Sequence, residues 1–339
     1  MRDYGLVGIE ATLAEQRGLA QARPYACPID SSQLRQLLRR RDLPAARDTA
    51  LWLAALAISG ALGIHFWGSA WAVPCFAVYG ILYGSAADSR WHECGHRTAF
   101  KTRWLNETVY QLACFMLLRE PTLWRWSHIR HHTDTLIVGR DPEIAVPRPP
   151  SLLNLALNVF ALRSTATALR KLALHACGRL TAEECTFIPK RERWKLPWVA
   201  RGWLCVLAGV IVACWRLHSL LPAMLVGLPT IYGACMLQFF GLTQHAGMAE
   251  DVLDHRLNTR TIYMNPLFRF LYSNMNYHIE HHMFPMVPYH ALPALHELIK
   301  HDCPPPYPNC WAAYREIFAA VWRQRGDPQW QVTRPLPST

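Results

Sequence analysis

The sequence predicts an all-α integral membrane protein, with four transmembrane helices in two hairpins carrying a cytoplasmic helical cap. Three observations lead there. Of the 339 residues, 51% are hydrophobic and only 17% charged, against about 25% charged in an average soluble domain. The uncharged residues are concentrated: the 39 residues between Asp48 and Asp88 contain no Asp, Glu, Lys or Arg, and neither does the stretch from Leu217 to Ala249. Yet the mean hydropathy is only +0.02, so the polar remainder must build a sizeable body outside the bilayer. This pattern excludes a disordered chain and a transporter that lies almost wholly within the membrane.

The elements follow in order. Residues 1–47 form an N-terminal segment that ends in Arg35, Arg39, Arg40, Arg41 and Arg47. The 39-residue run is too long for one span and suits two of about 20 residues, over 49–68 and 70–88. The turn falls at His65-Phe66-Trp67-Gly68-Ser69, whose aromatics suit headgroup level. Pro149 to Leu174 is apolar but interrupted by Arg163, Arg170 and Lys171, which predicts helices lying on the membrane surface. A second pair of spans is expected over 200–218 and 220–242, with Arg201 and Arg216 snorkelling at the ends of the first. The turns carry almost no charge, whereas Lys190, Arg191, Arg193 and Lys195 join the arginines before Asp48 on the other side. The positive-inside rule therefore makes both termini and the middle segment cytoplasmic. Residues 48–325 constitute the membrane domain, and the Pro- and Arg-containing tail 326–339 is expected to be flexible. A soluble protein with two buried hairpins is the rival, and the uncharged 39-residue run weighs against it.

The net charge of +11 calls for a partner that tolerates cations, an anionic lipid surface or an acidic protein. No basic tract is interleaved with aromatics, so nucleic acid is not expected. The eleven cysteines contain no CxxC pair, and Cys75, Cys205, Cys214 and Cys235 lie in apolar runs. They are expected to be small buried hydrophobes in a reducing compartment. The N-terminal MRDYGLVGIEATLAEQ has no apolar core of the kind a cleavable signal needs.

The chemistry is expected in the histidines. Eight of the sixteen fall in three clusters: His92 and His96 in HECGH, His128, His131 and His132 in HIRHH, and His278, His281 and His282 in HIEHH. On a helix, positions i, i+3 and i+4 share one face, so each cluster aims its imidazoles in one direction. Convergent neutral imidazoles suit iron, copper, zinc or nickel. If the second span leaves the bilayer near Tyr83 and its helix continues to His96, it carries the first cluster about 20 Å beyond the bilayer at 1.5 Å per residue. The other two clusters lie on that same side. His245, in Thr243-Gln244-His245-Ala246-Gly247, stands where the fourth span leaves the membrane there, and is a ninth candidate ligand.

HECGH, HIRHH with Asp134 behind it, QHAG and NYHIEHHMFP resemble the histidine boxes of the membrane fatty acid desaturase and hydroxylase family, in order and spacing, over residues 50 to 300. The resemblance implies two irons held by His92, His96, His128, His131, His132, His245, His278, His281 and His282, with molecular oxygen as co-substrate. It implies removal of two hydrogens from a carbon pair, with electrons from an external carrier such as a reduced ferredoxin-like protein, and contact with membrane lipid. Gly241 departs from the stearoyl-type pattern, which has Asn four residues before the isolated histidine. MFPMVPYHALPALHE and Asp254-His255-Arg256 resemble a bacterial subgroup that includes the rhizopine-catabolism oxygenase and dihydrorhizobitoxine desaturase. That likeness implies a bacterial inner membrane with a cytoplasmic active site, and a substrate that is either a small amino-acid-derived ether or an acyl chain.

Glu93, Asp134, Asp141 and Glu280 are candidates to receive the second N–H of ligating histidines. Arg125, Arg130, Arg140 and Asp141 are candidates to recognise a zwitterion, and Trp124 and Trp126 to shorten a tunnel. His65 and His218 are expected at the interface, and His255, His290, His296 and His301 are expected to be structural. Three rivals remain. HECGH also reads as the HExxH of a zinc protease with Glu93 as general base, although Ala99 and Thr102 occupy the positions of the extended metzincin pattern. A metal transporter would place ligands inside the spans. A hydroxylase of the same family shares every motif.

Overall fold

The structure, a computed structural model, describes residues 2–20 and 22–337. It is all-helical: among the described residues there is no β-strand, only the isolated bridges Thr261–Tyr277 and Ile262–Tyr307.

Among the described residues two helices, Ser31–His65 taken as one stretch and Lys190–Leu217, are each long and apolar enough to cross a membrane. They cover the first and third expected spans up to His65 and Leu217. The first ends at His65, and Gly68 at φ +88° makes the expected turn. There only glycine adopts the left-handed backbone at no steric cost. The chain then returns as Ala72–Gly80, a π-helical turn at Ile81–Ser85, and Ala86–Gly95. This run is continuous to the first histidine box. The π-turn is held on two sides. Trp52, fully buried, donates its indole N–H to the Leu82 carbonyl at 2.8 Å. Ser85 Oγ donates to the Gly233 carbonyl at 2.5 Å and accepts from Leu237 N–H at 2.8 Å.

The fourth expected span is not one helix. It runs as Leu221–Leu225, Pro229–Tyr232 and Cys235–His245. Pro222 and Pro229 lack the N–H that a continuing helix needs and start new ones, and Gly227 sits at φ +96°. The breaks let this segment press against the second one, because a Cβ on Gly233 would lie 1.8 Å from the Gly80 carbonyl oxygen. Leu152–Asn158 and Leu162–Ala176, expected to lie on the membrane surface, meet at a 77° bend and together are long and apolar enough for a third, broken span or a re-entrant loop.

Beyond these segments Arg103–Met116, Pro121–Thr133 and His278–Met283 gather around Ala86–Gly95 in a polar helical body. The N-terminal segment is tied to it through Arg2 and Tyr4, which bond Glu250 at 3.1 and 2.8 Å. Among the described residues the tail beyond Gly326, expected to be flexible, has no helix and packs against the chain near Gly247. Val332 is buried and donates its N–H to the Gly247 carbonyl at 2.9 Å.

Candidate metal centre

Four stretches of chain bring the predicted histidines to one buried place. Ala86–Gly95 carries His92 and ends at His96, Pro121–Thr133 carries the second cluster, Cys235–His245 ends on His245, and His278–Met283 carries the third. Glu120 caps the second of these, accepting from Leu123 N–H at 2.6 Å, and Pro121 supplies a first helical residue that needs no N–H partner.

Two groups of ligand atoms result, each within 4.8 Å of one another. One comprises His92, His96, His128, His132 and His281, the other His131, His245 and His282. In the first, His92 Nε2 lies 2.6 Å from His281 Nε2, and His128 Nε2 lies 3.1–3.2 Å from those of His92, His96 and His132. His278 joins the second side, its Nε2 3.2 Å from His282 Nε2. All nine candidate positions are therefore brought together.

The outer nitrogens show which atom each ring keeps free. His131 Nδ1 donates to both oxygens of Asp141 at 2.9 and 3.0 Å, and His128 Nδ1 to Glu143 at 3.0 Å. His245 Nδ1 donates to the Asn258 carbonyl at 2.9 Å, and His282 Nδ1 lies 3.1 Å from Thr135 Oγ1. A hydrogen at Nδ1 leaves the lone pair on Nε2, directed at the group. His245 Nε2 is buried and has no hydrogen-bond partner, as a ligand atom should be. Burial, then the neighbouring imidazoles, push His92, His128, His132, His278, His281 and His282 well below the ordinary histidine range. Burial takes His96 down to about 4. His131 goes the other way: burial lowers it, but Asp141 outweighs this and raises it to about 8. Inward-facing imidazole nitrogens are the donor set that a soft-to-borderline transition metal takes, displacing the proton that Asp141 holds on His131, and the residues fit two such ions.

Of the expected carboxylate partners, Asp141 bonds a box histidine. Glu280 instead accepts from His296 Nδ1 at 2.5 Å and from Thr261 Oγ1 at 2.5 Å, so His296 braces the third box from behind. Asp134 pairs with Arg130 and with Arg140. Glu93 accepts from Thr98 Oγ1 and Tyr289 N–H, both at 3.1 Å, and reaches only 4.0 Å from His281 Nδ1. It lines a separate crevice with Asp48 and Arg90, and burial lifts its carboxyl to about 8. A protease base would have to stand beside the metal, so the HExxH reading fails on position as well as on ligand number. Glu143 was missed in the sequence. The one signal was its place two residues after Asp141, across Pro142. His255, expected to be structural, is buried with its ring 5.1 Å from that of His282.

The zwitterion site expected from Arg125, Arg130, Arg140 and Asp141 does not form. Arg125 pairs with Glu107 at 2.9 Å and stacks 4.2 Å above Tyr110, Arg130 and Arg140 share Asp134, and Asp141 holds His131. The cavity that reaches the histidines lies elsewhere. It measures about 510 Å³ and is walled by His92, His128, His131, Trp91 and Trp124, with Gly241 at one side. Trp124 lines this cavity, whereas Trp126 lines an outer cleft.

Comparison with known proteins agrees with this geometry. The model of the fatty acid desaturase family matches residues 69–314. An acyl-lipid (9+3)-(E)-desaturase of Dimorphotheca sinuata is 23% identical, with 93% of this chain and 94% of the relative aligned. An endoplasmic-reticulum omega-6 fatty acid desaturase of Glycine max is 26% identical over 75% of each chain. A Δ12-acyl-lipid desaturase of Punica granatum is 28% identical over 71% of each. With the histidine boxes, their convergence and a match over most of its length all in agreement, this chain belongs to the fatty acid desaturase family.

Proposed function

We propose that the protein is an oxygen-dependent membrane desaturase that places a double bond in a fatty acyl chain. The observation that carries this is the double imidazole group opening on a cavity that runs from His92, His128 and His131 out past Leu162–Ala176. In this reading His92, His96, His128, His132 and His281 hold one iron, and His131, His245, His278 and His282 the other. The irons would supply activation of molecular oxygen, with electrons from an external carrier. Asp141 and Glu143 keep His131 and His128 turned with Nε2 inward, so the ligand set is assembled before metal arrives. Trp91 and Trp124, packed edge to face with ring centroids 5.6 Å apart, exclude water from the reacting end of the cavity. A volume of about 510 Å³ lies within the roughly 300–1,000 Å³ usual for small-molecule sites. The relatives act, by their names, on acyl lipids and fatty acids, which supports an acyl substrate over a small amino-acid-derived ether.

The same reading places four membrane segments in two hairpins within residues 48–325, in a bacterial cytoplasmic membrane, with termini and histidines on the cytoplasmic side. The charge asymmetry around Asp48 and Lys195 supports that orientation, and the broken fourth segment is accommodated because its freed backbone is packed in protein.

The test is iron content and product mass on one preparation. Purified protein should hold about two irons per chain, and membranes from expressing cells should gain acyl chains lighter by two hydrogens. Acyl products heavier by one oxygen would establish the hydroxylase instead, and protein purified with zinc alone would overturn the di-iron reading.

A further inference from the structure

Away from the histidines, the cavity wall is formed by the turn before Pro121–Thr133 and by one face of Leu162–Ala176, where Thr165, Ala168, Leu172 and His175 recur at helical spacing. Three polar atoms of residues on this wall are buried without a hydrogen-bond partner: Glu120 Oε1, Thr165 Oγ1 and His175 Nδ1. Glu120 is 2% and His175 1% exposed. Buried polar atoms are nearly always satisfied, so three orphans around one cavity point to something that enters it.

The neighbours define what that is. Glu120 accepts from Leu123 N–H through Oε2, which leaves Oε1 with its lone pairs free. His175 Nε2 donates to Glu184 at 3.1 Å, and Glu184 is held as a carboxylate by Thr181 N–H at 2.9 Å and Lys171 at 3.1 Å. That arrangement puts the ring hydrogen on Nε2 and the lone pair on Nδ1. Two acceptors therefore belong to the same wall, and a group that donates hydrogen bonds satisfies both. The same cavity is walled by Trp91 and Trp124, with Arg119 stacked on both at 4.6 and 4.4 Å.

We propose that Glu120 and His175 form a substrate subsite for a hydroxyl or amine, about 12 Å from the metal centre, taken as the eight-residue rise from Glu120 to His128. The desaturated chain would thus carry a hydrogen-bond donor that seats it and fixes which carbons meet the irons. This rests on the cavity being the substrate site of the desaturase proposed above.

The experiment measures binding of three probes, decan-1-ol, decylamine and undecane, to the full-length protein in detergent, with partition into empty micelles subtracted. The alcohol and the amine should bind about ten-fold more tightly than the alkane, which leaves both acceptors unpaired. Glu120→Gln keeps the helix cap and turns the free acceptor into a donor, and His175→Phe removes the other acceptor. Glu120→Gln should abolish most of the preference for the amine, whose ammonium cannot accept from an amide N–H. His175→Phe should weaken binding of both polar probes, while His175→Asn, whose amide oxygen can stand near the Nδ1 position and accept from the ligand, should retain more of it. Equal binding of all three probes to the wild type, or a preference that survives both Glu120→Gln and His175→Phe, would overturn the subsite. Product analysis separates this from the parent reading. Unsaturated acyl chains without a binding preference sink the subsite alone, whereas a preference without any unsaturated product leaves the subsite and removes the desaturase.

Discussion

Asp141→Asn isolates the contribution of a single outer carboxylate to metal binding. The side chain is fully buried, and its two oxygens accept from three donors. Oδ1 takes Glu143 N–H at 2.8 Å, Oδ2 takes Leu136 N–H at 2.8 Å, and both lie within 3.0 Å of His131 Nδ1. An amide keeps one acceptor. Whichever way it turns, its NH₂ faces a backbone N–H, so one buried donor loses its partner, at a cost of about 1–3 kcal/mol. His131 loses its charged partner as well, and replacing such a partner lowers metal affinity roughly 10- to 100-fold. The assay titrates a competing chelator against purified protein and reads iron per chain, with thermal unfolding in parallel. Asp141→Asn should release iron at 10- to 100-fold lower chelator and unfold earlier. Asp134→Asn, whose carboxylate touches only Arg130 and Arg140, should release iron as the wild type does. Identical chelator curves for Asp141→Asn and wild type would refute the inference that this carboxylate prepares His131 for metal.

Three further outcomes are expected. Gly241 lies in a helix beside the cavity and has open space around it. Gly241→Ala should therefore stabilise the helix by up to about 1 kcal/mol in thermal unfolding, while Gly241→Phe should fill the cavity and abolish acyl desaturation with iron content unchanged. Trp52→Phe removes the 2.8 Å bond to the Leu82 carbonyl and should cost about 1–3 kcal/mol; an unchanged unfolding temperature would show that the π-turn needs no such support. Glu184 is pushed up by burial, but His175, Thr181 and Lys171 outweigh this and hold it down at about 2. Its contribution to stability is complete above the ordinary 4.5 and is lost as pH falls through 2, so Glu184→Gln should flatten the acid limb of unfolding in that window, leaving behaviour near neutrality unaltered in shape.

The metal centre was legible because imidazole pairs at helical spacing leave few alternatives: HIRHH and HIEHH place three rings on one face whatever surrounds them. The expected hairpin turn at Gly68 and the helix running on to His96 follow from equally local rules. What the chain brings together across long separations was not legible. Glu143 is unremarkable until Pro142 turns it onto His128, and His175 has no spacing that distinguishes it. The fourth span was expected as one helix because hydropathy counts Pro222 and Pro229 as tolerable, whereas the close approach of Gly233 to Gly80 requires the breaks. The arginines near the second box suggested substrate recognition because a sequence shows charges but not their partners. Asp134 and Glu107 consume them.

The π-turn at Ile81–Ser85 sets the azimuth of the first histidine box. Each residue of a helix advances the chain by about 100° around its axis, and a π-turn is equivalent to one residue inserted into an otherwise α-helical run. The bulge takes up that residue, so deleting one between Ile81 and Ser85 would relax the turn to α-helix and leave His92 and His96 near their present bearing. Deleting one in the regular helix between Ala86 and Trp91 would instead swing them about 100° away from His128 and His281. The same deletion in the exposed turn at Gly68 would be absorbed by loop backbone. Between Ala86 and His96 the chain thus behaves as a keyed shaft, whose composition can drift but whose residue count is fixed by the bearing at which the imidazoles must arrive, while the π-turn behind it is the joint that takes up an odd residue.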